Sequence, residues 1–130
     1  MASIFTKIIN GEIPAHKIAE NDKYLAFLDV FPLVHGHVLV VPKKETDHIF
    51  DIEDADLSGM ILFAKEVSKA LKKAVPCKRI GISVIGLEVP HAHIHLVPIN
   101  SADDLNFTRE KIKPSQEELA EMAEKIKSNL

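Results

Sequence analysis

Residues 91–97 read HAHIHLV, with histidines at three strictly alternating positions and Ala92, Ile94 and Leu96 filling the places between and after them. A period of two belongs to a strand with two unlike faces. The imidazoles of His91, His93 and His95 then project from one side while the apolar residues enter a core on the other. Same-face neighbours on such a strand stand about 6.6 Å apart, so the rings touch only by tilting, yet together they can surround one anion. Two further histidines, His35 and His37, fall in VHGHVLVVP, so five of the seven in the chain occupy two short segments.

A strand of this kind needs partners, and the rest of the chain supplies them. Lys17–Glu20 and residues 23–29 flank Asn21-Asp22, residues that tolerate the left-handed backbone of a tight reversal, and so read as a hairpin. Residues 37–41 form a Val-rich strand closed by Pro42, and residues 79–85 another. Residues 4–10 predict a short apolar helix stopped by Gly11. The longest helix is expected over 54–74, where Leu57, Met60, Ile61, Ala64, Val67 and Leu71 recur at three- and four-residue intervals. Asp51 and Asp54 offer caps there, Lys69, Lys72 and Lys73 suit its C-terminal end, and Pro76 lies just beyond. Ser115 and Glu118 form a capping box ahead of Leu119, Met122, Ala123 and Ile126. Hairpin-like strands with few helices between them favour an α+β fold, an antiparallel sheet of about five strands with helices over one face.

The 130 residues suit a single domain, and 46% hydrophobic with 27% charged residues is the composition of an ordinary globular chain. Sixteen basic against nineteen acidic residues leave a net charge of −3, which supplies no field for holding a nucleic acid. No apolar stretch approaches the ~20 residues that span a bilayer, and no secretory signal is visible, so a cytoplasmic protein without membrane contact is expected. The single Cys77 cannot form an intrachain disulfide.

Three readings of the histidines compete. They could be solvated residues on an open sheet face. They could ligate a metal, although no HExxH or CxxC accompanies them and Glu88 is the one carboxylate close in sequence. They could also carry phosphoryl or nucleotidyl transfer, because a neutral imidazole attacks phosphorus without a strong base and its neighbours can neutralise phosphate oxygens and protonate a leaving group. One nucleophile with two or three helpers is what the pattern offers.

HAHIHLV matches the His-x-His-x-His signature of the histidine triad family of nucleotide hydrolases and transferases. IFTKIINGEIP (4–14), YLAFLDVFP (24–32) and GHVLVVPKK (36–44) resemble its other landmarks in the same order, so the resemblance covers roughly residues 3–98, with 99–130 as a helical tail. It implies a histidine triad fold, a homodimer, and hydrolysis of a purine nucleotide at the α-phosphorus through a covalent nucleotidyl-histidine. His93 matches the nucleophile, His91 and His95 the flanking triad members, and His37 the fourth histidine. Asp29 aligns with the residue that binds the ribose hydroxyls, and Ile4, Phe5, Ile8, Ile13, Phe27 and Val30 with the purine pocket. The implied substrate is a nucleoside phosphoramidate or adenylate. Alternatives are a dinucleoside polyphosphate or, for a module with low turnover, a bound nucleotide alone. No metal or other cofactor is needed for this chemistry.

Two departures stand out. Many members carry a Cys-x-x-Cys that helps bind structural zinc, but Ser3 and Thr6 occupy those positions and Glu45 stands where a histidine often follows, so no structural zinc is expected. Before the triad, Gly86 is kept, whereas Leu87 and Glu88 replace the polar pair that contacts the phosphate and leaving group.

Overall fold

Ser3 opens the first helix. In the computed structural model, which describes residues 2–130, its hydroxyl accepts the Thr6 N–H, and α1 (Ile4–Ile9) runs to Asn10. Gly11 follows at φ 79°, the left-handed position that ends a helix. The hairpin of β1 (Lys17–Glu20) and β2 (Tyr24–Leu28) forms as expected, but its turn closes differently. The Asn21 side-chain oxygen accepts the N–H groups of Lys23 and Tyr24 at 2.9 and 2.8 Å, and no non-glycine residue among those described has a positive φ. A side chain that satisfies two backbone donors removes the need for left-handed geometry.

β3 (Val38–Pro42) pairs antiparallel with β2, and the long helix α2 spans Asp54–Ala74 as its periodicity predicts. Its start needs correcting, because the cap residue is Glu53 and no side chain makes a capping bond. Asp54 and Asp56 lie in the first turn, where the helix dipole favours them, while Asp51 belongs to a separate 3₁₀ turn. Met60, Ala64, Val67 and Leu71 are buried, whereas Ile61 stays exposed beside Leu62. Val75 is extended ahead of Pro76, as the proline ring demands. After β4 (Arg79–Ser83) and β5 (Ile94–Ile99), α3 (Gln116–Lys127) starts from the expected Ser115–Glu118 capping box.

The sheet order is β1-β2-β3-β5-β4, antiparallel throughout. Helices do not keep to one face. Alternate residues of β2 and β3 point opposite ways: Ala26, Leu28, Val38 and Val40 join α2 and α3, while Leu25, Phe27, Leu39 and Val41 join Phe5 and Ile8 of α1. Both strands are buried at every position because their runs, YLAFL and VLVVP, are almost wholly apolar on both sides. Among the described residues no helix is long and apolar enough to cross a membrane.

Candidate active site

The triad does not sit on one strand. β5 begins only at Ile94, so His91 and His93 precede the ladder instead of standing on it. The chain leaves the sheet there because His91 N–H turns back to the Val89 carbonyl and Ala92 N–H bonds Thr46 O at 2.7 Å. The alternation still holds: Ala92, Ile94 and Leu96 enter the α2 core. The rings close up by tilting, with His93 and His95 centroids 4.9 Å apart at 66° and His37 5.1 Å from His95. His37 enters from the loop before β3, where Gly36 adopts φ 91°. A Cβ at Gly36 would come within 3.1 Å of Val75 and 3.3 Å of Pro98, so this approach of the chain requires glycine.

Hydrogen-bond partners fix where the protons lie. Leu33 N–H donates to His37 Nδ1 at 3.0 Å, which leaves the proton of a neutral His37 on Nε2, 2.9 Å from His95 Nδ1. His95 Nδ1 therefore accepts, and its own proton is on Nε2. His93 Nδ1–H donates to the His91 carbonyl at 2.8 Å, which leaves a lone pair on His93 Nε2. His91 donates from Nε2 to Pro42 O at 2.8 Å, so its Nδ1 accepts from the Ser3 hydroxyl at 2.7 Å. Burial pushes His37 down to about 3 and His95 to about 4, in each case aided by neighbouring imidazoles, and it lowers His91 as well. Three of these rings are therefore neutral near pH 7, and their mutual contacts make them a coupled set.

Asp29 approaches the same cluster, its carboxylate 3.7 Å from His37 Nε2 and held by Phe31 N–H at 2.9 Å. Partial burial raises its pKa above the ordinary value, against the opposing Phe31 bond. Of the residues expected to line a purine pocket, Phe5, Ile8 and Phe27 are buried together with Ile13 packed against them. Phe5 also meets the His93 ring edge-on at 5.0 Å. Ile4 and Val30 are 49% and 40% exposed and stand outside that cluster. Lys43 is taken up by Glu20 at 2.7 Å, His16 reaches Gln116 of α3 at 2.8 Å, and Leu87 and Glu88 lie in an exposed loop. A surface groove of about 410 Å³ between Tyr24, Lys43 and Ile52 contains none of the triad.

The sequence left four contributors unseen or misplaced. Phe107, in the tail, packs edge-on against His95 at 4.7 Å and His37 at 6.1 Å. Ser3, Thr6 and Glu45 converge on His91: Thr6 hydroxyl and Ser3 N–H both donate to Glu45 Oε1, at 2.6 and 2.7 Å. The Thr6 bond first, then the Ser3 bond, hold the Glu45 carboxyl down to about 2. These are the positions where the resemblance would put structural zinc. Two alcohols and a carboxylate, already bonded to one another, do not fit an ion that is held by thiolate and imidazole. Asp29, His37 and His95 bring three ligand atoms within 4.8 Å of one another, but a metal there would have to replace the proton shared by the two imidazoles.

A family model described as HIT domain matches residues 10–102. The chain belongs to the histidine triad family. An uncharacterized HIT-like protein of Borreliella burgdorferi is 35% identical over 98% of this chain and 97% of its own length. An adenosine 5′-monophosphoramidase of Schizosaccharomyces pombe is 31% identical over 100% and 99% of the two chains. Among solved structures, a HIT-like protein of Bartonella henselae, described as involved in cell-cycle regulation, superposes with a TM-score of 0.85 at 33% identity, covering 98% of this chain and 96% of that one. The histidine triad fold thus agrees with the expected architecture in its five antiparallel strands and three α-helices.

Proposed function

We propose that this histidine triad protein hydrolyses a purine nucleotide at its α-phosphorus, with a nucleoside 5′-phosphoramidate or adenylate as substrate. The observation that carries the reading is the bond from His93 Nδ1–H to the His91 carbonyl, which leaves Nε2 as a free nucleophile. His93 Nε2 attacks phosphorus as the bond to the leaving group breaks. His95 Nε2–H, backed by His37, hydrogen-bonds the leaving atom, which departs with a proton taken up from solvent through the paired histidines. Water then cleaves the phosphorus–nitrogen bond, releases the nucleoside monophosphate and returns the proton to the histidines. Asp29 binds the ribose, and the apolar cluster around Phe5, Ile8, Ile13 and Phe27, with Ile4 and Val30 at its rim, receives the purine. The name of the fission-yeast relative supports the phosphoramidate class.

The test is mass spectrometry of protein quenched during turnover of adenosine 5′-phosphoramidate. A nucleotidyl adduct on His93 is expected, and none in a folded His93→Ala variant. An adduct on a different residue, or AMP release without any adduct, overturns the assignment.

The same reading makes the protein a cytosolic homodimer, a setting in which the lone free Cys77 needs no partner. β4 is an edge strand, and Ile82, Val84, Ile85 and Leu87 on it and just beyond it are exposed, which suits pairing across a two-fold axis. Sedimentation equilibrium should give twice the chain mass; a monomer would refute this.

A further inference from the structure

We propose that Glu45, Ser3 and Thr6 form a metal-free latch that positions the nucleophile: by gripping the His91 ring they hold the His91 carbonyl, the group to which His93 Nδ1–H is bonded. The need for a latch comes from where the sheet stops. The ladder with β3 ends at Ile94, so the backbone carrying this acceptor lies outside it. Among the described residues two main-chain bonds hold that stretch, His91 N–H to Val89 O and Ala92 N–H to Thr46 O. The imidazole of His91 supplies the remaining anchor. It is wholly buried and bonded at both nitrogens, to Pro42 O at the end of β3 and to the Ser3 hydroxyl at the start of α1.

Thr6 N–H donates to Ser3 Oγ at 3.0 Å, and the Ser3 hydroxyl has two acceptors, His91 Nδ1 at 2.7 Å and Thr6 Oγ1 at 3.3 Å, of which the shorter bond to His91 takes its proton. The Thr6 hydroxyl and Ser3 N–H both donate to Glu45, which accepts only. One carboxylate oxygen thus fixes the rotamer of Thr6 and the backbone of Ser3. The Pro42 carbonyl, which only accepts, sets His91 as the Nε2–H tautomer, and the Ser3 hydroxyl held in this way donates to the Nδ1 lone pair that is left. Glu45 touches no reacting atom in the reaction proposed above; it is a positioning residue. An amide oxygen could serve as well as a carboxylate, because it offers two lone pairs to the same two donors.

The inference rests on the proposed chemistry for its kinetic readout but not for its structural one. In Glu45→Ala and Ser3→Ala, kcat for adenosine 5′-phosphoramidate should fall about tenfold with KM little changed, the effect of losing one buried hydrogen bond that orients a reacting group. Glu45→Gln should restore most of the rate. The substrate-free readout is the imidazole ¹⁵N–¹H correlation spectrum. The wild type should show His91 as a fixed Nε2–H tautomer and His93 as a fixed Nδ1–H tautomer, and the alanine variants should show His93 averaging between forms. Unchanged His93 shifts in folded Glu45→Ala and Ser3→Ala would overturn the latch, as would Glu45→Gln behaving like Glu45→Ala. A wild type that shows the fixed tautomers yet does not turn over the phosphoramidate would instead count against the proposed substrate.

Discussion

Acidification should unfold this protein over an unusual range, set by imidazoles and not by carboxylates. His37 and His95 are 1% and 7% exposed, and burial holds them neutral in the folded chain until about pH 3 and about pH 4. In the unfolded chain both take up protons as the pH falls through 6.5, their ordinary value. The unfolded state therefore binds more protons below that point, and stability must decline as pH drops. Each pH unit below 6.5 weighs about 1.4 kcal/mol for each group kept neutral, so at pH 5 one histidine removes about 2 kcal/mol and two remove about 4. The pair shares a hydrogen bond and titrates together, so a loss of about 2 to 4 kcal/mol between pH 7 and 5 is expected, a large part of the ~5–15 kcal/mol typical of a folded domain. Carboxylates with lowered pKa, such as Glu45, begin to contribute only below their ordinary value of 4.5, whereas Asp29, whose pKa burial raises, favours the folded chain as the pH falls and offsets part of the histidine loss. Urea unfolding at one fixed protein concentration, repeated at half-unit steps, measures the slope. A free energy of unfolding that stays level from pH 7 to 5, or rises on acidification, would refute the neutral relay.

Phe107 packs edge-on against both rings of the same pair, so Phe107→Ala should hydrate them and let the His37 and His95 pKa values rise toward 6.5. The acid limb of kcat/KM then moves to higher pH, with about 2 kcal/mol lost in urea unfolding; a limb that stays in place refutes the sealing role. Placing charge on the open edge, as in an Ile82→Lys, Ile85→Lys double variant, should shift sedimentation from dimer to monomer without changing the far-ultraviolet circular dichroism. A double variant that remains dimeric places the two-fold elsewhere.

What the sequence made legible follows from the reach of each signal. The 54–74 helix and the Ser115 box are local patterns, and both match the structure. The alternation of HAHIHLV correctly separated core from site, but alternation does not by itself show that a strand is paired. Pro90 and the back-bond of His91 take the first half of the motif out of the sheet. Ile61 fitted the helical period and is nonetheless exposed, because the buried stripe of α2 is narrower than its apolar one. The side of the sheet taken by α1 was hidden because β2 and β3 are apolar on both faces, so their pattern names no inner side. Ser3, Glu45 and His91 meet across 42 and 88 residues, and Phe107 lies in a stretch with no periodicity at all. Long-range convergence of this kind leaves no mark in spacing.

The double burial of β2 and β3 also bears on how such an enzyme can diversify. With packing on both sides, neither strand has a position at which a new side chain could be tried without disturbing one core or the other. The exposed rim is under no such restraint: Ile4 at the first helix, Val30 after β2 and Leu87 in the loop ahead of the triad all border solvent. Under the proposed function, changes of appetite for base or leaving group have room there, while the triad imidazoles stay anchored to a frame that tolerates almost no drift.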